Sequence, residues 1–553
     1  LKVLSSEKWL LGIWILLGGI LRFLNLGNKP IWTDEVATMV FSLGNDYESI
    51  PLNQVISLEQ LLQPLQINPQ ATLVDVASNL ITQDNHPPLY FLLAHLWLQV
   101  FPSANSYLSV WVARSLPAIL GIVSIPLTYF LAKLSFRSSF VAQLAAGLMA
   151  FSPYGIFLAQ EARHYTLGIL LVILSLSCLI ITVRILYQHQ VIPWGLVYSW
   201  LLVNCLGLGI HYFFSLTLLA QSLLLIGLLI YQIKEQKISG KNWLRISWVL
   251  IGTLLTALVW IIKILPPDFG NGMTDWLEPS SLSFRALISP IFQLLAAWVT
   301  MISLLPIESS SLGIAIISGL LMTGFFIKLI PHLKTALYKS WLIPNHRLEI
   351  MTIGAFIGAA IIIFLLITYS SGKDITRGAR YSFVYFPALM VLMALLLGNL
   401  WKYQQQPKIV IMVFLMAFLS GLTVANDLGY KKYYWTDKFL EVIQSNSNYP
   451  MLIATTHTTL VQAGEMMGLA WQIKQQDKSL NPKFLLVQQQ EKDAPESTKI
   501  LAESIMKRPK PLEIWTVNFQ APIDLKDCEL STESFPYISG YNYQKYICDR
   551  PRE

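Results

Sequence analysis

Charge is what this chain has least of: only 13% of its 553 residues are Asp, Glu, Lys or Arg, while 54% are hydrophobic. Soluble domains carry about twice that share of charge, so an ordinary soluble protein is excluded and a polytopic membrane protein is implied. Cysteine is scarce too, and four residues cannot frame a disulfide-stapled fold. Cys178 and Cys205 fall inside apolar runs, where a thiol packs as a small hydrophobe. Cys528 and Cys548 lie in a polar tail and can pair if that tail faces an oxidising compartment. The tail has no Gly-rich phosphate loop, which argues against a nucleotide site there. Nor is the formal charge of +7 gathered on one domain. Lys and Arg come in short clusters between apolar runs, the pattern of topology signals rather than of a nucleic-acid surface.

What the chain does have is a series of apolar runs. Crossing about 30 Å of hydrocarbon takes about 20 residues, and such runs lie near 9–26, 110–132, 140–158, 165–186, 191–210, 212–232, 246–265, 312–330, 351–370, 382–401 and 408–425. The first follows Lys2 and Lys8 but lacks a small-x-small cleavage site, so it reads as an uncleaved signal anchor with a cytoplasmic N-terminus. Two further apolar segments, 87–101 and 284–305, are decided by charge. With 87–101 as a full span, the basic stretches 133–137 and 234–245 would lie on the outer side, against the positive-inside tendency; laid along the outer face as an interfacial helix, it leaves both in the cytoplasm. The same parity test, applied next to 284–305, makes it interfacial too and so places His332, Lys334, Lys339, His346, Arg347 and the stretch 402–408 inside. The expectation is an α-helical membrane protein of about eleven spans plus interfacial helices, with its C-terminus extracytoplasmic.

Four polar segments then gather on the outer side: the long loop 27–109 with short surface helices, the turn 159–165, the stretch 266–283, and the stretch 371–381. In the third, Asp268, Asp275 and Trp276 lie near Gly270 and Gly272, the composition of a flexible loop. After residue 425 the composition turns polar. Met451 to Thr456, Phe484 to Val487 and Leu512 to Val517 read as buried strands, with helical patterns from Leu460 to Lys474 and Thr498 to Lys507 between them. The division expected is a membrane catalytic domain over 1–425 and an extracytoplasmic α/β domain over 426–553.

The candidate site begins at Ile31-Trp32-Thr33-Asp34-Glu35, two adjacent acids just past the first span. Carboxylates beside hydrocarbon are costly and mark functional sites. Outside the cytoplasmic membrane nucleotide sugars are absent, so glycosyl transfer there draws on sugars carried by polyprenyl phosphate. Such a reaction needs a carboxylate to take the acceptor's proton and cations to stabilise the departing phosphate. Asp34 or Glu35 can supply the first; Arg114, Arg163, Lys373, Arg377 and Arg380 can supply the second. Glu161 and Arg163 are read as facing substrate, because a mutual surface pair contributes only about 0–1 kcal/mol. Arg377 and Arg380 are three apart at the expected start of a helix, hence on one side of it, and they sit outside against the positive-inside tendency. The group His211-Tyr212-Phe213-Phe214 reads as an aromatic interface anchor.

These motifs, in this order, resemble the GT-C superfamily of integral-membrane glycosyltransferases, nearest to its protein O-mannosyltransferase and lipid A aminoarabinose transferase branch. The resemblance covers residues 9 to about 425 and rests on Asp34-Glu35, Asn85-His86-Pro87-Pro88-Leu89-Tyr90, Gln160-Glu161-Ala162-Arg163-His164-Tyr165, and Arg380-Tyr381 followed by Pro387-Ala388-Leu389. It implies Asp34 as catalytic base with Glu35 assisting. It also implies Arg114, Glu161, Arg163, Tyr165, Lys373, Arg377, Arg380 and Tyr381 as donor-binding residues. His86 matches a position that holds a divalent metal in some relatives, and Asp84 could join it. A second ligand about twenty residues on is replaced here by Ser103, Asn105 and Ser106. The implied activity is transfer of a sugar from a polyprenyl-phosphate donor to a lipid, glycan or protein hydroxyl, in a bacterial inner membrane and among its lipids. A lipid or sugar transporter or flippase is the alternative.

Overall fold

The computed structural model describes residues 2–264, 275–278, 283–476, 480–489, 495–525 and 528–548. Asp268, Gly270 and Gly272 therefore lie outside the described residues. Among the described residues eight helices are long and apolar enough to cross a membrane, or nine if the bent pair Ser139–Phe151 and Pro153–Ala159 is one span. Trp194–Leu208 and Phe386–Lys402 are apolar but shorter, and the helix Lys2–Phe23 opens the chain's membrane part. The protein is thus an integral membrane protein.

The bend of 55° in the paired helix has a covalent cause. Pro153 has no N–H to give the carbonyl of Met149, and Ser152 leaves helical geometry at φ −53°, ψ 119°. The carbonyls at the break are met by a buried cation from the first helix: Arg22 donates to Met149 O at 2.9 Å and to Ala150 O at 3.0 Å, and within its own helix to Gly18 O at 2.9 Å. Ser152 Oγ closes the other side by donating to Met301 O at 2.7 Å. Replacing Arg22 by Met is expected to cost about 3 kcal/mol, since each buried carbonyl left unpaired costs about 1–3 kcal/mol. A lower unfolding midpoint in detergent, read by intrinsic fluorescence, checks it; an unchanged midpoint refutes it.

Both segments expected at the interface form helices, Leu89–Val100 and Phe284–Ile302. The first amide of Leu89–Val100 donates to Gly209 O at 3.1 Å, and Trp97 near its end donates to Val112 O at 3.2 Å, at the start of Val110–Phe136. Phe284–Ile302 passes the length and composition test for a span. Leu287 O accepts from Tyr369, near the end of Pro344–Ser371; Gln293 accepts from Thr376 in the following loop; and Met301 meets Ser152 at the bend.

The tail builds a six-stranded sheet in the order β1-β3-β2-β4-β6-β5, with β1 at Val55–Ile56, β2 at Met451–His457, β3 at Lys483–Gln488, β4 at Leu512–Val517, β5 at Glu529–Leu530 and β6 at Tyr543–Cys548. The three strands read from sequence form its parallel centre, β2 pairing with β3 and with β4. Helices Leu460–Gln476 and Pro495–Met506 connect them. A disulfide joins Cys528 to Cys548. β1 comes from the first outer loop and pairs antiparallel with β3, Val55 opposite Leu485. The helix Leu460–Gln476 also packs closely on that loop: a Cβ at Gly464 would stand 2.9 Å from Thr33 Cγ2, and one at Gly468 would stand 3.2 Å from Ile31 O. The tail thus braces the segment that carries the acid pair.

Candidate active site

Asp34 and Glu35 occupy the first turn of the helix Thr33–Ser42, where free backbone N–H groups favour negative charge. Successive helical residues point about 100° apart, so the two acids meet different surroundings. Glu35 turns inward. Arg114 grips it in bidentate fashion, Nε to Oε1 and Nη2 to Oε2, each at 2.8 Å, and the Ala162 amide donates to Oε1 at 2.8 Å. Arg114 also donates to the carbonyls of Leu26, Lys29 and Pro30. Burial opposes the charge on Glu35, but Arg114, Lys432 and the Ala162 amide outweigh it and hold its pKa below the ordinary 4.5. The expected roles of Glu35 in catalysis and Arg114 in donor binding do not fit this geometry: each satisfies the other, with 1% of either side chain exposed.

Asp34 turns to the open side and stays 28% exposed. Arg163 Nη2 stands 3.7 Å and Arg380 Nη2 3.4 Å from its Oδ2. Burial again opposes ionisation, and Arg380, Arg163, His86 and Lys432 together overcome it, so Asp34 titrates below the ordinary 3.8. Arg163 is anchored through Nη1, which donates to Asp34 O and Thr38 Oγ1 at 2.9 Å each. Arg380 is held among the rings of Trp32, Trp276 and Tyr381, at 5.0, 5.3 and 5.4 Å from their centres. Tyr165 lies against Arg163, and Tyr381 stacks on Phe213 at 4.0 Å.

Three other expected donor-binding residues are placed differently. Residues 375–384 form two short 3-10 turns, Ile375–Arg377 and Ala379–Val384, hinged at Gly378, so the spacing of three does not set Arg377 beside Arg380. Arg377 instead donates to Trp276 O and Glu278 O at 2.8 and 3.0 Å, and pairs with Asp374. Lys373 stands 4.0 Å from the exposed Glu278. Glu161 does not meet Arg163; it pairs with Lys432.

Lys432 escaped the sequence reading. It enters from the stretch after Pro407–Ala425, passing between the rings of Trp32 and Phe157 at 4.5 and 4.7 Å. Burial pulls its pKa down to about 7 against the opposing charge of Glu35. A cavity of about 180 Å³ lies beside it, lined by Lys29, Glu35, Arg114, Glu161 and Tyr434. The signal was present: Lys431-Lys432 follow the last expected span, on the side read from sequence as outer, where Arg377 and Arg380 also lie.

His86 lies next to Arg163, with Nη2 of the arginine 3.4 Å from its Nε2. Asp84 does not stand ready as a metal ligand, because its Oδ1 takes the His86 Nδ1 proton at 2.7 Å. Two histidines with no ligand role in the sequence reading, His164 and His211, complete a group whose ring nitrogens lie within 4.8 Å of one another. His164 is fully buried and neither of its ring nitrogens has a hydrogen-bond partner. Burial first, and neighbouring charge second, hold both well below the ordinary histidine pKa, hence neutral. A neutral imidazole is the form a metal ion needs, so these residues fit a divalent metal better than His86 with Asp84 does. Ser103, Asn105 and Ser106 line a different groove, against Trp471.

No family model matches the chain, and no curated protein sequence does. Two solved structures are similar along nearly the whole length. ArnT from Cupriavidus metallidurans bound to undecaprenyl phosphate superposes with a TM-score of 0.52 at 9% identity, covering 98% of each chain. The same protein in its apo state gives 0.52 at 10% identity, with the same coverage. The likeness is one of architecture: along nearly its whole length the chain shares the membrane fold of these two structures.

Proposed function

We propose that the chain is a glycosyltransferase that moves a sugar from a polyprenyl-phosphate carrier to an acceptor hydroxyl at the outer face of a membrane. One observation carries this reading. The Nε atoms of Arg163 and Arg380 are buried without a hydrogen-bond partner, and their contacts with Asp34 are longer than strong charge-assisted bonds. Desolvated donors left unsatisfied around an ionised carboxylate suit an anion that arrives and leaves. The shared fold supports the choice of anion, since the similar ArnT structure is bound to undecaprenyl phosphate.

In this reading Asp34 takes the proton of the acceptor hydroxyl as the acceptor oxygen bonds to the anomeric carbon. The bond from that carbon to the phosphate oxygen breaks, and its electron pair leaves on the phosphate, whose charge Arg163 and Arg380 hold. Donor binding also prepares the base. A phosphate drawing on the two guanidinium groups shares the positive charge that depresses the Asp34 pKa, so Asp34 becomes more basic once the donor is in place. A divalent ion would be held by His86, His164 and His211, where it supplies further charge stabilisation. Glu35, Arg114 and Lys432 act as positioning residues. The acceptor is a lipid, glycan or protein hydroxyl, the membrane a bacterial inner membrane, and the N-terminus cytoplasmic. Residues 1–425 form the catalytic part and the extracytoplasmic tail over 426–553 braces it.

The test is release of polyprenyl phosphate by the purified protein from a panel of polyprenyl-phosphate sugars. Binding without release across the panel supports a transporter or flippase instead. Arg380→Ala is expected to lower turnover by about 10²–10³, the usual loss for one stabilising donor, and to weaken undecaprenyl phosphate binding. Arg377→Ala, whose side chain holds loop carbonyls, is expected to leave that binding within about threefold, a change under 1 kcal/mol. Equal losses in both variants would refute the distinction between them.

A further inference from the structure

We infer that the groove between the loop 101–109 and the tail helix Leu460–Gln476 binds a neutral saccharide chain. The groove holds about 690 Å³, within the range of about 300–1,000 Å³ usual for ligand sites, and none of the residues around Asp34 lines it. The loop wall carries Asn105 and Ser106, and the tail wall carries Gln475 and Asn481. Between the walls the buried rings of Tyr107 and Trp471 meet, 6.0 Å apart at their centres.

Three features point to a ligand. The backbone of the loop is fixed: Ile67 N donates to Ser106 O at 2.9 Å and Leu108 N to Leu65 O at 3.1 Å, an antiparallel bridge that sets Gln66 opposite Tyr107. Its side chains are not used in this way. Among the described residues, the side chains of Asn105, Ser106, Gln475 and Asn481 make no hydrogen bond. Trp471 is only 8% exposed, yet its indole N–H has no partner among the described residues and is not sealed in by them. Polar groups on buried side chains are normally satisfied, and an indole N–H can only donate. One that opens on a groove calls for an acceptor from outside the chain.

The lining selects the class of ligand. Side-chain amides and hydroxyls both donate and accept, which suits the hydroxyl groups of a sugar ring. The charged residues of the lining, Glu59 and Lys474, cancel, and Lys474 lies over the Tyr107 ring at 4.5 Å, so no net charge draws an ion. An extended peptide would be held by backbone bonds at a free strand edge; here the loop backbone is taken by its bridge and the facing wall is a helix. The groove also leads toward the acid pair. Its helix presses Gly464 and Gly468 against Thr33 and Ile31, and the seven positions from Gly464 to Trp471 span about 10 Å. Ser109, at the other wall, accepts from Val112 N at 3.3 Å and so caps the helix that carries Arg114. That the saccharide is the glycan part of the acceptor rests on the glycosyltransferase reading; the groove itself does not.

The experiment uses the full chain in a sugar-free detergent, because a glycoside headgroup would compete for the groove. The probe is an array of neutral and acidic oligosaccharides, followed by calorimetry with the neutral glycan that binds best. Wild type is expected to take one such glycan per chain. Trp471→Phe, which keeps a ring and removes the N–H, and Asn105→Ala should each weaken binding by about tenfold, the loss of one hydrogen bond. Asn481→Ala, exposed on the tail wall, should act alike and keeps the test independent of packing at Trp471. Unfolding midpoints show that each variant is folded. Failure of folded wild type to bind any neutral glycan overturns the proposal. So does binding that all three substitutions leave unchanged, a preference for acidic glycans, or capture of an uncharged extended peptide in their place. Undecaprenyl phosphate binding is measured separately. Glycan binding without lipid binding sinks the glycosyltransferase reading and leaves the groove, and the converse sinks the groove alone.

Discussion

Asp34→Asn is expected to lower sugar transfer by about 10²–10⁴, the range set by loss of a positioned general base, while undecaprenyl phosphate binds at least as tightly as to wild type. The asymmetry follows from charge. Asp34 competes with an incoming phosphate for Arg163 and Arg380, from which it stands 3.7 and 3.4 Å away. Removing its charge frees both guanidinium groups for the anion and removes the acceptor for the proton. Stability should change little, because Arg163 keeps its bonds to Asp34 O and Thr38. The depressed pKa adds a pH signature: below an ordinary value of 3.8, Asp34 is ionised throughout the neutral range. Transfer between about pH 5 and 8 should therefore show no acid limb from this carboxylate in the free enzyme. Release of polyprenyl phosphate and lipid affinity, measured on the same preparation, decide the matter. A variant that turns over normally removes Asp34 as base; one that loses both binding and turnover makes it a binding residue.

Glu35→Gln, one residue along, is expected to act on folding. Its side chain and that of Arg114 are each 1% exposed and doubly bonded. Breaking one partner of such a pair strands the other charge and costs about 3–5 kcal/mol. Arg114→Met should cost a similar amount, and the double variant less than the sum, because neither then leaves a lone buried charge. Transfer per folded molecule should survive in Glu35→Gln far better than in Asp34→Asn. The pair also sets an acid limit. The pKa of Glu35 is lowered on folding, so its contribution is full above the ordinary 4.5 and is lost as pH falls through the lower folded value. Unfolding midpoints in detergent from pH 7 down to 3 should fall earlier and further in wild type than in the double variant. Intact stability with lost transfer in Glu35→Gln would instead make Glu35 a catalytic residue.

The readings that succeeded from sequence rest on local pattern. Apolar runs of membrane length announced the spanning helices, and continuous apolar stretches announced β2, β3 and β4. Asp34, Arg163 and Arg380 do converge, as their shared outer placement implied. Arg377 failed for a definite reason: its spacing from Arg380 was read as helical, and Gly378 splits the segment into two 3-10 turns. Lys432, His164 and His211 were present but given no site role. Each is one residue in its own loop, and no local periodicity marks a residue that reaches a cavity built by others.

By itself, then, the amino-acid order determined that the chain lives in a membrane and where its three central tail strands fall, while of the eleven spans expected eight or nine reach membrane length among the described residues. These properties follow from burial and from periodicities of a few residues, which neighbouring positions encode. Tertiary structure alone decided which of two adjacent carboxylates meets the arginines whose Nε atoms have no partner. It turned Glu35 onto Arg114, 79 positions away, and left Asp34 to Arg163 and Arg380. It also added Val55–Ile56 to the tail sheet and brought three histidines from three loops together. Pairings of that kind depend on where distant segments meet when the helices pack, and on which buried charges can neutralise each other there.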